Sequence, residues 1–195
     1  MIYDWFRRHC DSSVAAETRK PRGKIVLTGL APLVGPHTKI VILGSFPGVA
    51  SLRAQAYYGH PRNQFWRLLA TSLAETPERV VAAPYPERVR WMLEVGVGVW
   101  DVYAACEREG SLDTAIRAAE LNPLGELRVM CPGLTLIAHN GGESFRHARH
   151  TRELGLPVLR LPSSSPANAG MTFETKLSEW RQALASAGLE VRPAL

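Results

Sequence analysis

The amino-acid sequence predicts an α/β fold: a three-layer α/β/α sandwich with a central four-stranded parallel sheet. Four short apolar segments alternate along the chain with segments whose apolar residues recur at helical spacing. This alternation is typical of parallel strands joined by helical crossovers. The 195 residues, 46% of them hydrophobic, are enough for one domain with a sizeable core. We expect that domain over residues 25–195, after a basic arm over residues 1–24 that is flexible or loosely docked.

The first half of the domain is predicted to contain two strands separated by two helices. Residues 39–44, KIVILG, are a continuous apolar run rich in β-branched side chains, typical of a strand buried on both faces. Residues 63–73 are predicted as a helix because four apolar side chains recur on one helical face. Residues 85–96 are predicted as a helix with proline in its first turn, ended by Gly96, and residues 97–102 as the second strand.

The second half of the domain continues the alternation. Residues 111–121 are predicted as a helix, because a serine can cap its start and an acidic residue lies in its first turn. Residues 134–140 are predicted as the third strand and residues 141–154 as a helix. Residues 156–166 are predicted as a fourth strand that ends in a polar turn, and residues 173–188 as the last helix.

Composition limits the classes of function. The net charge of +5 and a pI near 9.4 favour anionic partners. The three cysteines are far apart and odd in number, without the spacing of a zinc or iron–sulfur site, so we expect reduced thiols. The sequence has no apolar stretch of about 20 residues and no signal-peptide pattern. We therefore expect a cytoplasmic protein, nucleoid-associated in a prokaryote, with no membrane partner.

Polar loops follow the predicted strands, and they are the candidate binding site, because open parallel sheets bind ligands beyond the carboxyl ends of their strands. The loop GSFPG lacks the glycine spacing of dinucleotide folds and the Gly-Lys-Ser/Thr of nucleoside triphosphatases. It is followed by YYGHPRNQFW, which brings aromatic, basic and amide side chains to the same region. The expected edge residues are Ser45 to Gly48, Trp100, Asp101, His139, Asn140 and Ser163 to Asn168.

Four sequence blocks resemble one family. LGSFPG, YYGHPRNQFW, GVWDVYAACEREGSLDTAI and LPSSSPA occur in order over residues 28–186, and together they resemble the uracil-DNA glycosylase superfamily, in its hypoxanthine-DNA (deoxyinosine) glycosylase branch. The resemblance implies a base that is flipped into a pocket at the carboxyl edge of the sheet, and hydrolysis of the N-glycosidic bond without metal or cofactor. Flipping is required because a base stacked in duplex DNA cannot be reached.

The resemblance also implies roles for residues of the first two blocks. Asn63 resembles the asparagine that takes the catalytic role in this branch, and Ser45 is the other candidate catalytic residue. Phe46 stands where uracil-specific relatives carry an acidic residue and mismatch-specific relatives an asparagine, so the usual catalytic side chain is missing. Gly48 stands where strict uracil enzymes place a tyrosine, so the pocket can admit a purine.

Asp101 matches the position from which relatives recognise the base with an asparagine. An ionised carboxylate accepts hydrogen bonds only, so it suits the N–H at position one of hypoxanthine and repels adenine. The alternative, that Asp101 caps or orients the adjacent turn, stays equally open.

Ser163 replaces the histidine or asparagine that opens the second motif of other branches. The expected substrate-binding residues are Phe46, Pro47, Gly48, Tyr58, Asp101 and Ser163; the expected DNA-binding residues are His60, Arg62, Ser164, Ser165, Pro166, Ala167 and Asn168.

These observations predict a monomeric, monofunctional DNA glycosylase of base excision repair that acts on DNA containing a deaminated base, hypoxanthine first. Two alternatives stay open. One is a uracil-DNA glycosylase of the same fold, because uracil and hypoxanthine both present an N–H beside a carbonyl. The other is a non-catalytic relative that binds damaged DNA, which the missing acidic residue and Ser163 would fit.

Overall fold

A computed structural model of the chain describes residues 25–193 and the short strand at residues 18–19. The rest of the predicted basic arm lies outside the described residues. The strands are β1 (Thr18–Arg19), β2 (Ile25–Thr28), β3 (Ile40–Gly44), β4 (Val97–Asp101), β5 (Tyr103–Glu107), β6 (Arg117–Leu121), β7 (Leu136–Asn140) and β8 (Val158–Leu161). The helices are α1 (Val49–Ala54), α2 (Phe65–Leu73), α3 (Pro77–Ala82), α4 (Tyr85–Glu94), α5 (Leu127–Met130), α6 (Gly142–Phe145), α7 (Ala148–Arg152) and α8 (Phe173–Ser186).

The predicted four-stranded parallel sheet is confirmed. Its order is β4-β3-β7-β8, and every neighbouring pair is parallel. The central strand β3 is completely buried, as its unbroken apolar sequence predicts. Because β3 and β4 are in register from Ile40 opposite Val97 to Gly44 opposite Asp101, the loops that follow them leave the sheet side by side.

The apolar side chains of the parallel strands divide between two hydrophobic clusters, which is why the sheet is covered on both faces. Ile40 and Ile42 belong to a cluster that includes side chains of α2, α4 and α8. Val41 and Leu43 belong to a second cluster that includes side chains of α5 and of β5. The alternation follows from the period of two along a strand. The layered α/β architecture predicted from the sequence is therefore present.

A second, antiparallel sheet was not predicted. It has the order β1-β2-β5-β6, and β5 begins two residues after β4 ends. The predicted helix over residues 111–121 is wrong: a 3-10 turn covers Asp113–Ala115, and Arg117–Leu121 form β6. Every residue of β6 is exposed, so a helix here would have no apolar face to bury, whereas pairing with β5 satisfies the backbone.

Three long helices follow the prediction closely: α2, α4 and α8. Gly96 adopts a positive φ of 86° just after α4, consistent with its predicted place at the end of that helix. The helix predicted over residues 141–154 is instead two short helices, α6 and α7, separated at Arg146 and His147. The ring of His147 hydrogen-bonds the Tyr103 hydroxyl at 2.7 Å, at the point where the helix is interrupted. In the described part of the chain, no helix has the length and apolar character that a membrane span requires.

Candidate functional site

The carboxyl ends of the parallel strands bring the predicted loops to one edge. β3 leads into residues 45–48, β4 ends at Asp101, β7 ends at Asn140, and β8 leads into the serine turn, residues 162–168. The segment before α2 also reaches this edge: the Gln64 N–H donates a hydrogen bond to the Ser164 carbonyl in the serine turn at 2.9 Å. The residues predicted from separate blocks of sequence therefore lie together at this edge.

Gly44 is required at the end of β3 because the carboxylate of Asp101 lies directly against it. A Cβ atom at this position would collide with Oδ1 of Asp101 and would lie 3.5 Å from the Tyr58 hydroxyl. Tyr58 and Asp101 thus converge on the face of the sheet that a side chain at Gly44 would otherwise fill. The Tyr58 ring is held by stacking on Phe65, with ring centres 3.8 Å apart.

Asp101 is a buried carboxyl group with an unpaired oxygen. The residue is 4% exposed, and its Oδ2 has no hydrogen-bond partner among the described residues. The pKa of Asp101 is raised to about 8, mainly by burial and also by the charge of Asp113, while the guanidinium of Arg108 lowers it. Its backbone carbonyl, not its side chain, is tied to the neighbouring turn, by a 2.9 Å bond from the Asn122 side chain.

The hydroxyl of Tyr58 is a second buried polar group without a hydrogen-bond partner among the described residues. Burial and the nearby Asp101 carboxyl raise the pKa of Tyr58, so the phenol keeps its proton at neutral pH. Its backbone φ of 55° is in the left-handed region that non-glycine residues rarely adopt, and such backbone is common at functional sites.

The segment between β5 and β6 folds back onto the loop at residues 45–48. The Ser45 hydroxyl donates to Oδ1 of Asp113 at 2.7 Å, and the Ser111 hydroxyl accepts from the Val49 N–H at 3.0 Å. Burial raises the pKa of Asp113, while the bond from Ser45 lowers it. The carboxylate of Asp113 thus holds Ser45. This contact was not predicted, because the sequence predicts a helix over residues 111–121.

Arg108 is a site residue that the sequence reasoning missed. It is 8% exposed, its guanidinium carbon lies 5.0 Å from the centre of the Phe46 ring, and one N–H donates to the Pro47 carbonyl. Phe46, one of the expected substrate-binding residues, is itself only 6% exposed. Arg108 lies within the third block of the family resemblance, but apolar periodicity carries no signal for a lone arginine on a hairpin.

Asn63 lies just before helix α2, two residues ahead of Phe65. Its Oδ1 accepts a hydrogen bond from the Phe65 N–H at 3.0 Å, and its own N–H donates to the His60 carbonyl at 2.9 Å. The first bond identifies the oxygen of the amide and fixes the orientation of the side chain. An amide oxygen has two lone pairs, so Oδ1 retains one acceptor site.

The serine turn is held from three sides. Ser164 and Asn140 form a reciprocal pair, with bonds of 2.8 Å from Nδ2 to Oγ and 2.9 Å from N–H to Oδ1. Lys176, buried on α8, donates from Nζ to the Gln64 side chain at 2.9 Å and to the Asn168 carbonyl at 2.8 Å. Ser163, Ser165 and Asn168 are joined by local bonds, while Pro166 and Ala167 complete the turn.

His60 and Arg62 lie at the rim of the site. Arg62 is exposed, and its N–H donates to Nδ1 of the half-buried His60 at 3.1 Å. His139, in contrast, is fully buried at the end of β7, where its ring contacts the Ser144 and Thr151 hydroxyls at 2.8 and 2.9 Å. Burial lowers the pKa of His139 to about 4, so it is a neutral, structural group.

Comparisons with known proteins agree with one another. Residues 24–185 match the family model described as the uracil DNA glycosylase superfamily. Proteins named hypoxanthine DNA glycosylase from Methanosarcina barkeri and Methanosarcina acetivorans are 37% and 35% identical to this chain, over 80% of its length and 96% of theirs. A solution NMR structure of a candidate uracil DNA glycosylase from Methanosarcina acetivorans has a TM-score of 0.74 and 34% identity, covering 84% of this chain and 99% of that one.

Proposed function

The chain belongs to the uracil DNA glycosylase superfamily, and from this we propose that it hydrolyses the N-glycosidic bond of hypoxanthine in DNA and leaves an abasic site. The observation that carries the proposal is the convergence of Asp101, Tyr58 and the loop at residues 45–48 at the carboxyl edge of the parallel sheet. A base extruded from DNA can be held there by its pairing edge.

Two features of the site favour a purine. Gly48 carries no side chain, and because a Cβ there would already lie 3.4 Å from the Ser111 hydroxyl, a larger side chain would crowd this part of the loop. Asp101 offers an unpaired oxygen to a ring N–H. Hypoxanthine has such an N–H, whereas adenine has an acceptor at that position, so the ionised carboxylate disfavours adenine.

Asn63 is proposed to place the attacking water. The bond from the Phe65 N–H holds its side chain still, and the second lone pair of Oδ1 accepts a hydrogen bond from the water. The water oxygen bonds to C1′ of the sugar, the bond from C1′ to the base breaks, and the base leaves with the electron pair while the water proton passes to solvent. An amide is a weak base, so stabilisation of the charged sugar and departing base must supply most of the rate.

DNA is the proposed macromolecular partner, bound by a monomer of this chain. The exposed Arg62 and the half-buried His60 suit contacts with phosphates on one side of the base, and the serine turn supplies hydroxyls and N–H groups on the other. The two lysines of the described residues, Lys39 and Lys176, do not suit Schiff-base chemistry. Lys39 precedes β3, at the amino end of the sheet, and Lys176 is bonded to two carbonyl groups. We therefore propose that the enzyme does not cleave the strand.

Uracil is the second candidate substrate. It presents an N–H beside a carbonyl, as hypoxanthine does, and Asp101 would accept from either base. The two bases are separated by measuring base release from matched oligonucleotides that carry one hypoxanthine or one uracil, in single strands and opposite each normal base, with alkali to cleave abasic sites. Release of neither base, although the strands are bound, would leave only the non-catalytic alternative.

The catalytic assignment is tested with Asn63→Ala beside Asn63→Asp, which keeps an oxygen to accept from the Phe65 N–H. Loss of the water contact should slow base release about 100-fold or more in Asn63→Ala. Loss of the bond from the Phe65 N–H should cost about 0.5–1.5 kcal/mol of stability, which thermal unfolding reports separately. Unchanged base release in Asn63→Ala would rule out this role for Asn63.

A further inference from the structure

Arg108 is a nearly buried cation that contacts the loop proposed to hold the base. Its guanidinium lies over the Phe46 ring and donates to the Pro47 carbonyl. Two consecutive residues of that loop are therefore in contact with one side chain, which comes from the residue that follows β5. An arginine keeps its proton in proteins, so this side of the pocket is permanently cationic.

Most of the donors of Arg108 have no partner. A guanidinium has five N–H groups, and the Pro47 carbonyl accepts one, from Nη2. Nε and Nη1 are buried and form no hydrogen bond with the described residues, and no described carboxylate lies within 4 Å of the group. Buried donors without acceptors are unfavourable and uncommon, so the arrangement indicates a ligand with acceptor atoms.

The counterpart of these donors is the unpaired oxygen of Asp101. The two side chains are close enough for each charge to shift the pKa of the other group, but they form no direct ion pair in the described residues. The pocket therefore presents one free acceptor and several free donors. A 6-oxopurine has the complementary edge, since its N1–H is a donor while O6 and N7 are neighbouring acceptors that arginine commonly binds in a bidentate manner.

We propose that Arg108 donates hydrogen bonds to O6 and N7 of a flipped 6-oxopurine while Asp101 accepts from its N1–H. This rests on the proposed function and makes Arg108 the residue that distinguishes hypoxanthine from uracil, which has no N7. Adenine is disfavoured because its amino group faces the donors of Arg108, and, when Asp101 is ionised, also because its N1 acceptor faces the carboxylate. Guanine shares all three groups with hypoxanthine, so neither residue discriminates against it.

The test compares single-strand oligonucleotides that carry hypoxanthine, 7-deazahypoxanthine or uracil, with base release measured in single turnovers. The variants are Arg108→Gln, which removes the charge, and Arg108→Lys, which keeps a cation but not the planar pair of donors. Arg88→Gln is the matched control. Arg88, on α4, also has a buried Nε without a hydrogen-bond partner among the described residues, and its guanidinium carbon lies 4.9 Å from the centre of the Trp66 ring.

The wild-type protein should release hypoxanthine about 10- to 100-fold faster than 7-deazahypoxanthine, as expected for a bidentate contact. In both Arg108 variants this ratio should fall towards one, and hypoxanthine release should fall more than uracil release, because uracil offers the guanidinium a carbonyl but no N7. Arg88→Gln should keep the wild-type ratio. A ratio that stays at its wild-type value in the Arg108 variants means that N7 affects only the chemistry of the leaving base, and it overturns the inference alone. Failure of the wild-type protein to release hypoxanthine overturns the proposed function and the inference together.

Discussion

Replacing Asp101 by asparagine should remove the pH dependence of hypoxanthine release at and below about pH 8. Burial raises the pKa of Asp101 to about 8, so at pH 7 only about a tenth of the free enzyme carries the ionised carboxylate. The protonated carboxyl can donate as well as accept, and it loses its preference for a base with an N1–H. If the ionised form is the productive one, kcat/KM should rise about tenfold per pH unit from about pH 6 and level off above about pH 8.

Neighbouring charges should move the midpoint of this profile in opposite directions. The Asp113 carboxylate raises the pKa of Asp101, so Asp113→Asn, which keeps an acceptor for Ser45, should shift the midpoint to lower pH. Arg108 lowers that pKa, so Arg108→Gln should shift the midpoint upwards. Because the N1–H of hypoxanthine is itself a weak acid, Asp101→Asn also serves as the control for ionisation of the substrate.

The raised pKa of Asp101 also makes the stability of the protein depend on pH. The unfolded chain loses the Asp101 proton near its usual pKa of 3.8, whereas the folded chain keeps it up to about pH 8. The folded state binds more protons in this window, so this group should lower the free energy of unfolding by about 1.4 kcal/mol for each pH unit of increase. Chemical denaturation of the wild-type protein and Asp101→Asn should show the difference.

The kinetic prediction has a separate test. A flat kcat/KM profile for the wild-type protein, or an identical rising limb in Asp101→Asn, would refute the proposal that the ionised Asp101 is the productive form.

Two further substitutions test the space and the support of the site. Gly48→Tyr should reduce hypoxanthine release far more than uracil release, because Gly48 has a φ of −68° that any residue adopts and its missing side chain leaves room beside Ser111; equal losses for the two bases would contradict this. Lys176→Met removes both bonds to Gln64 and Asn168 and should lower stability by about 1–3 kcal/mol, measured by thermal unfolding, and weaken DNA binding; unchanged binding would show that the turn is held without Lys176.

The parallel sheet could be predicted from the sequence because its strands are continuous apolar runs. Ile40–Gly44 are fully buried and Leu136–Asn140 are buried except for the half-buried Asn140, and that requirement is visible in composition alone. The loops that follow such strands meet at one edge by topology, so Asp101 and the serine turn could be placed together without coordinates. Asn63 could be placed at the start of a helix for a similar reason, because the apolar face of α2 is strongly periodic.

The antiparallel sheet could not be predicted in the same way. β6 is exposed along its length, so no pattern of burial distinguishes it from a short polar helix. Its position depends on pairing with β5, which is a contact between segments and leaves no local signal. The roles of Arg108 and Asp113 depend on that pairing, and for this reason the sequence indicated Ser45 and Phe46 but not the side chains that hold them.

In the proposed mechanism, the residues that choose the substrate and the residue that places the water lie on different segments. Val102 and Tyr103 donate hydrogen bonds to the carbonyls of Gly44 and Ser45, so the chain that carries Asp101 continues along the first loop into β5 and on to Arg108. One segment therefore supplies both groups proposed to recognise the base, whereas Asn63 comes from a different segment. Substitutions in the hairpin should change the ratio of hypoxanthine to uracil release, and substitutions of Asn63 should slow both reactions by the same factor. The two sets of substitutions should differ because the residues proposed to recognise the base and the residue proposed to place the water come from different segments of the chain.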